Sequence, residues 1–268
     1  MKTDRTFISV AGVGLLGLLL GVGRLLAGSQ NPPAMLYILL AAGLALCLGF
    51  GLLYGKKPAP ETLEITDRFK TAVVLAAIVT MGGALLKLAL DGADLLSLCT
   101  MALMVLSGLG MILGLKETDS QLPHILASVP IFASGLYLLL VYRSHAAAGP
   151  DSDLYAVEVL TVVALTAALY SIASMRFMDR SRSLFVTTSV LAAIMLTVCT
   201  VISTLLGSGF IFSMADLLLC AGLALYCGAW FLNPPLKYVV PEEDEEEEEE
   251  DAEDEEVSEV IVTESDEE

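Results

Sequence analysis

The chain has 268 residues, 56% of them hydrophobic, and a formal charge of −18. That charge is confined to one end: residues 241–268 hold 19 acidic residues and no basic one, whereas residues 1–240 hold 14 basic and 13 acidic. The apolar residues lie in eight unbroken blocks, which excludes a soluble domain packed around one core, and no basic surplus exists to bind nucleic acid.

The first block, Phe7–Ala27, follows Met1-Lys2-Thr3-Asp4-Arg5. A basic start before an apolar run can mark a secretory leader. Arg24 inside the run, its length and the lack of an A-x-A site favour a retained anchor. The later blocks are Ala34–Tyr54, Thr71–Leu90, Leu95–Leu115, His124–Tyr142, Leu154–Met175, Leu184–Leu206 and Phe210–Phe231, so every block is 19 to 23 residues long. A hydrocarbon core of ~30 Å takes about 20 helical residues, and in lipid every backbone polar group needs an internal partner. The expected fold is therefore all-α: a polytopic membrane protein of eight transmembrane helices within residues 1–235. Its short connectors imply four antiparallel hairpins.

Basic residues set the direction of threading. With Met1 in the cytoplasm, the inner side carries Lys2, Arg5, Lys56, Lys57, Arg68, Lys70, Lys116, Arg176, Arg180, Arg182 and Lys237, and the outer side only Arg24, Lys87 and Arg143. The positive-inside rule then predicts a cytoplasmic (inner) membrane protein with both termini inside. Tyr54, Tyr170, Tyr226 and Trp230 fall at inner ends and Tyr37, Tyr142 and Tyr155 at outer ends, as interfacial aromatics do.

A faint repeat runs through the blocks. Thr3-Asp4-Arg5, Thr66-Asp67-Arg68, Thr118-Asp119-Ser120 and Met178-Asp179-Arg180 each precede an outward-running helix, and Arg24 and Lys87 each stand 20 residues after their Asp. Stripes of small residues mark places of close helix approach: Gly14, Gly17, Gly21 and Gly28 in the first block, Ala41, Ala45 and Gly49 in the second. Gly110 with Gly114, and Ala224 with Gly228, do the same in the fourth and eighth. They serve contacts inside the bundle or with another copy, so a homo-oligomer is compatible with them.

Charged residues within spans are the natural candidates for function, because each costs roughly 2.5–3.5 kcal/mol at the membrane centre on insertion scales. Glu158 and Asp216 lie one to two turns below the outer face, with Thr161 beside the first and Ser213 before the second. Thr197, Thr200 and Thr204 share a face of the seventh helix at i, i+3 and i+7, next to Ser203. One reading is a polar vestibule in the outer half of helices six to eight, lined by Glu158, Thr161, Thr197, Thr200, Thr204 and Asp216, that binds a cation or small polar solute. The other pairs Glu158 or Asp216 with Arg24 or Lys87, while the threonines bond their own i−4 carbonyls. Arg24 and Lys87, a turn from their helix ends, can also snorkel. Pro130 should bend the fifth helix, with Ser134-Gly135 just beyond.

No enzyme is expected. His124 and His145 fall at opposite faces, and no H-E-x-x-H site, nucleophile turn, P-loop or dinucleotide fingerprint occurs, so neither a metal nor a cofactor is implied. Cys47, Cys99, Cys199, Cys220 and Cys227 lie inside apolar blocks with no C-x-x-C pair, as packing residues do.

The tail, residues 236–268, begins soon after Pro234 and Pro235 and includes ten consecutive carboxylates at 242–251. Like charges repel and little apolar surface is available to bury, so it should be disordered and cytoplasmic. Its β-prone island Val257–Thr263 can add as a strand to a partner, and its charge suits a basic protein or divalent cations. The function expected first is a small transporter or solute-binding membrane protein using that polar outer half of helices six to eight; the alternative is a non-catalytic scaffold or accessory subunit acting through this tail.

Overall fold

The computed structural model describes residues 2–26, 34–54, 65–91, 94–115, 125–126, 128–147, 156–177, 184–206 and 212–232. The tail and most of the connectors lie outside the described residues. Among those described, eight long helices form: α1 (Lys2–Leu26), α2 (Ala34–Tyr54), α3 (Asp67–Asp91), α4 (Leu95–Leu113), α5 (Val129–Ala147), α6 (Ala156–Phe177), α7 (Leu184–Leu206) and α8 (Met214–Leu232). Six of them, α1, α3, α4, α6, α7 and α8, are long and apolar enough to cross a membrane; the apolar parts of α2 and α5, Tyr37–Leu53 and Val129–Ser144, are shorter. The fold is that of a helical, multi-pass membrane protein.

Helix boundaries follow local chemistry. Thr66 precedes α3, its Oγ1 accepting from the Phe69 amide at 3.4 Å. At α8, Ser213 and Asp216 form a reciprocal capping box: the Ser213 amide donates to Asp216 Oδ2 at 2.9 Å, and the Asp216 amide reaches Ser213 Oγ at 3.4 Å. α5 departs most from expectation, running from Val129 to Ala147 instead of His124 to Tyr142. Ser128 forms a turn that separates Ile125–Leu126 from α5, so Pro130 is the second residue of a helix rather than a kink inside one. A first-turn proline has no amide to leave unsatisfied and its fixed φ suits helix initiation.

The packing is not a row of hairpins. The most extensive contact is between α3 and α8, followed by α1 with α7, and both join helices far apart in sequence. Glycines permit these approaches. A Cβ on Gly222 would sit 2.7 Å from the Thr80 amide, and one on Gly83 would sit 2.8 Å from that of Leu219, so α3 and α8 run antiparallel in near-backbone contact. A Cβ on Gly21 would sit 2.9 Å from the Cys199 carbonyl oxygen, and one on Gly17 would meet that of Met195, so α1 runs parallel to α7. α2 docks on α7 through Gly43 and Gly51, while Ala41 and Ala45 are exposed and Gly49 meets nothing. The faint repeat does not extend to packing: α3 lies along α8, but α1 lies along α7.

α7 and α8 are the centre, 61% and 67% of their spans being buried against 33% for α1. Trp230 and Tyr226 therefore point into the core instead of forming an interfacial belt. Trp230 stands edge-on to Phe69 at 5.3 Å and to Tyr226 at 6.4 Å. The outer surface is apolar, with Leu15, Leu53, Leu95, Phe132 and Leu206 all well exposed.

Candidate functional site

We call the side where α1 begins the near face and the side where it ends the far face. Four buried charged residues occur among the described residues, two of each sign: Arg24, Lys87, Glu158 and Asp216. Each lies about one turn from the far end of its helix. Arg24 and Lys87 approach the ends of α1 and α3, and Glu158 and Asp216 are in the first turns of α6 and α8. Because α1 and α3 run from the near to the far face while α6 and α8 return, this placement brings opposite charges to one depth.

Lys87 Nζ lies 2.8 Å from Asp216 Oδ1, with side chains 7% and 4% exposed. The same oxygen accepts from the Tyr137 hydroxyl of α5 at 2.6 Å, and Oδ2 accepts from the Ser213 amide and from Ser213 Oγ at 2.7 Å. Asp216 is thus held by two other helices, α3 and α5, and by its own cap, as a buried charge requires.

The second pair is looser. Arg24 Nη2 is 3.4 Å from Glu158 Oε1, and Nη1 donates to Ser203 Oγ of α7 at 3.0 Å. The Ser203 hydroxyl in turn donates a hydrogen bond to the Thr200 carbonyl at 3.1 Å. Thr161 and Thr200 hydroxyls meet at 2.7 Å across the α6–α7 contact. The two pairs lie at one end of the bundle on neighbouring helices, since α6, which carries Glu158, packs against α8, which carries Asp216, as well as against α7.

Of the six residues expected to line a vestibule, the structure brings Glu158, Thr161, Thr200 and Asp216 into this polar region. Thr161 bonds its i−4 carbonyl at Val157, 2.7 Å away. Thr197 and Thr204 do not: their Oγ1 atoms are buried without hydrogen-bond partners among the described residues, and Thr197 opens on an apolar groove. Pro130 is remote, at the other end of α5 from Arg143. Arg24 and Lys87 do not snorkel; both are enclosed, at 1% and 6% exposure. Arg143 instead reaches Asp94, at the start of α4, with a 2.6 Å exposed pair.

Sequence reasoning missed Tyr137. The signal was there: a tyrosine inside an apolar block has a hydroxyl that needs a partner, and it is fully buried. Among the described residues no group of three His, Cys, Asp or Glu side chains is placed to hold a metal. Comparison with family models, curated proteins and solved structures finds no match.

Proposed function

We propose that this is an eight-span protein of the cytoplasmic membrane, with both termini inside, that acts as a scaffold or accessory subunit. α2 and α5, at 21 and 19 residues, are about 31 and 28 Å long, enough to join the other six as spans. The observation that carries the reading is that, among the described residues, each of the four buried charges is paired with an opposite charge of the same chain. A carboxylate already matched by an internal base is poorly placed to receive a cationic solute, and it serves well to fix which helices meet. The working parts are then the bundle surface and the acidic tail, which draws a basic partner or divalent cations to the inner face.

Transport remains the second reading, favoured by the looser Arg24–Glu158 contact and the unpartnered hydroxyls of Thr197 and Thr204. E158Q and D216N decide between them in proteoliposomes and in native membranes. A scaffold keeps its cross-linked partners in both variants and loses them when residues 242–268 are removed. Partners unaffected by tail removal, together with solute flux that vanishes in E158Q, would replace the scaffold by a carrier.

A further inference from the structure

α3 lies on α8 in near-backbone contact at Gly83 and Gly222, whereas α5 packs between α4 and α6 and meets α8 through a side chain. The Tyr137 hydroxyl donates to Asp216 Oδ1 at 2.6 Å, and its ring stands 6.5 Å from that of Phe212. Nearer the far end of α5, Arg143 holds Asp94 of α4 at 2.6 Å. Ser134 and Ser144 direct their hydroxyls to carbonyls of α5 itself, and a Cβ at Gly135 would meet nothing within 4 Å. The near end of α5 is a break. The Ser128 amide donates to the Ile125 carbonyl and the Ile131 amide to that of Ser128, both at 3.0 Å and both across three residues. Pro130 has no amide with which to carry the helical ladder back to Leu126. Before the break the chain is fixed, because the Leu126 carbonyl oxygen lies 2.7 Å from where a Cβ on Gly110 of α4 would sit.

We infer that α5 is a gate over the Lys87–Asp216 pair, hinged at Ser128–Pro130 and latched in its far half by Tyr137 and Arg143. Leverage is the first argument. Tyr137 stands roughly 12 Å along the helix from Val129, so a swing of about 20°, ordinary for a helix break at proline, moves it by about 4 Å. That displacement parts the hydroxyl from Asp216 and leaves room for water. The small resistance to such a swing is the second. Beyond Pro130 the other buried residues described in α5 are Ala133, Ser134 and Val141, so little apolar surface is uncovered. The latches are the third: one hydrogen bond to a carboxylate and one exposed ion pair keep the closed form dominant without sealing it. When α5 swings, water from the far face reaches Lys87 and Asp216. The gate does not depend on the scaffold reading, because partner capture reports on the tail and the gate reports on access to α8.

Two native cysteines of α8 test this. Cys220 and Cys227 are both fully buried. Cys220 follows Asp216 by one turn on the same face, whereas Cys227 lies roughly 16 Å from Asp216 toward the near face, beyond the depth of the hinge. The full chain carries one or the other as its single cysteine, the remaining four being replaced by alanine, and is labelled with N-ethylmaleimide in native membranes. The labelling rate of a buried thiol follows the population of the open form. Y137F should raise the Cys220 rate about tenfold or more and R143A about two- to fivefold, as expected for one charged hydrogen bond and one exposed pair. The Cys227 rate should stay level in both. D94C/R143C, bridged from α4 to α5 by a short bismaleimide, should bring the Cys220 rate below that of the parent. An unchanged Cys220 rate in Y137F would overturn the proposal. So would a Cys227 rate that climbs in step, which would mean opening of the whole bundle, or a bridged protein whose Cys220 reacts as fast as before bridging.

Discussion

Replacing Lys87 by Met keeps the length of the side chain but removes the charge that lies 2.8 Å from Asp216. The carboxylate stays 96% enclosed and still accepts from Tyr137 and Ser213, but has no counter-charge in direct contact. Breaking one side of a buried ion pair costs about 3–5 kcal/mol, most of it the penalty of the charge left behind. D216N removes the counter-charge 2.8 Å from the enclosed ammonium and should destabilise the bundle as well. The K87M/D216L double variant removes both charges; apolar replacement of a buried pair is often neutral or better, so it should recover most of either loss. Equilibrium unfolding in mixed micelles of increasing denaturing detergent gives each free energy, and the four proteins close a double-mutant cycle. A K87M loss below about 1 kcal/mol, the range of exposed pairs, would refute the reasoning, as would single losses that simply add in the double variant.

Y137F should cost about 1.5–3 kcal/mol in the same assay, as expected for one hydrogen bond to a charged acceptor, and leave the Lys87–Asp216 coupling intact. G222V places a side chain against the Thr80 backbone; a loss of roughly 1–3 kcal/mol or more is expected, together with a smaller K87M effect as α3 moves away from α8. T161V/T200V removes both hydroxyls of a 2.7 Å contact and should be less damaging than either single change. Removing residues 242–268 should leave the unfolding transition of the bundle where it is, and a truncated protein that no longer inserts would show that the tail is no appendage.

Much of the fold was legible because the bilayer imposes it: α2 and α7 run over the same residues that the apolar blocks gave, and α4 starts at the expected Leu95. α5 was not, because hydropathy alone did not register that Ser128 ends one turn and Pro130 opens the next helix. The four buried charges stood out in the sequence, since each interrupts an apolar run. Which base meets which acid did not, because that depends on non-sequential packing set by Gly17, Gly21, Gly83 and Gly222. The glycine stripes were a partial guide. Gly17 and Gly21 do touch α7, but Gly49 meets nothing and Gly228 borders a groove. A glycine shows where approach is permitted, and only the partner helix decides whether it happens.

The distance in sequence between the two halves of the polar region bears on how the protein is made. Arg24 leaves the ribosome 134 residues before Glu158, and Lys87 precedes Asp216 by a similar interval. At about 5–20 residues per second, each cation waits on the order of ten seconds before its carboxylate exists. During that time α1 and α3 sit in the bilayer with a bare charge near the far end, and they must hold it at the headgroups or in a local water defect. The arrival of α6 and then α8 draws these charges inward, so the second half of the chain completes what the first third began. Membrane insertion of this protein is therefore a two-stage event, in which the early helices are stable only provisionally and the final helix fixes Lys87 in place.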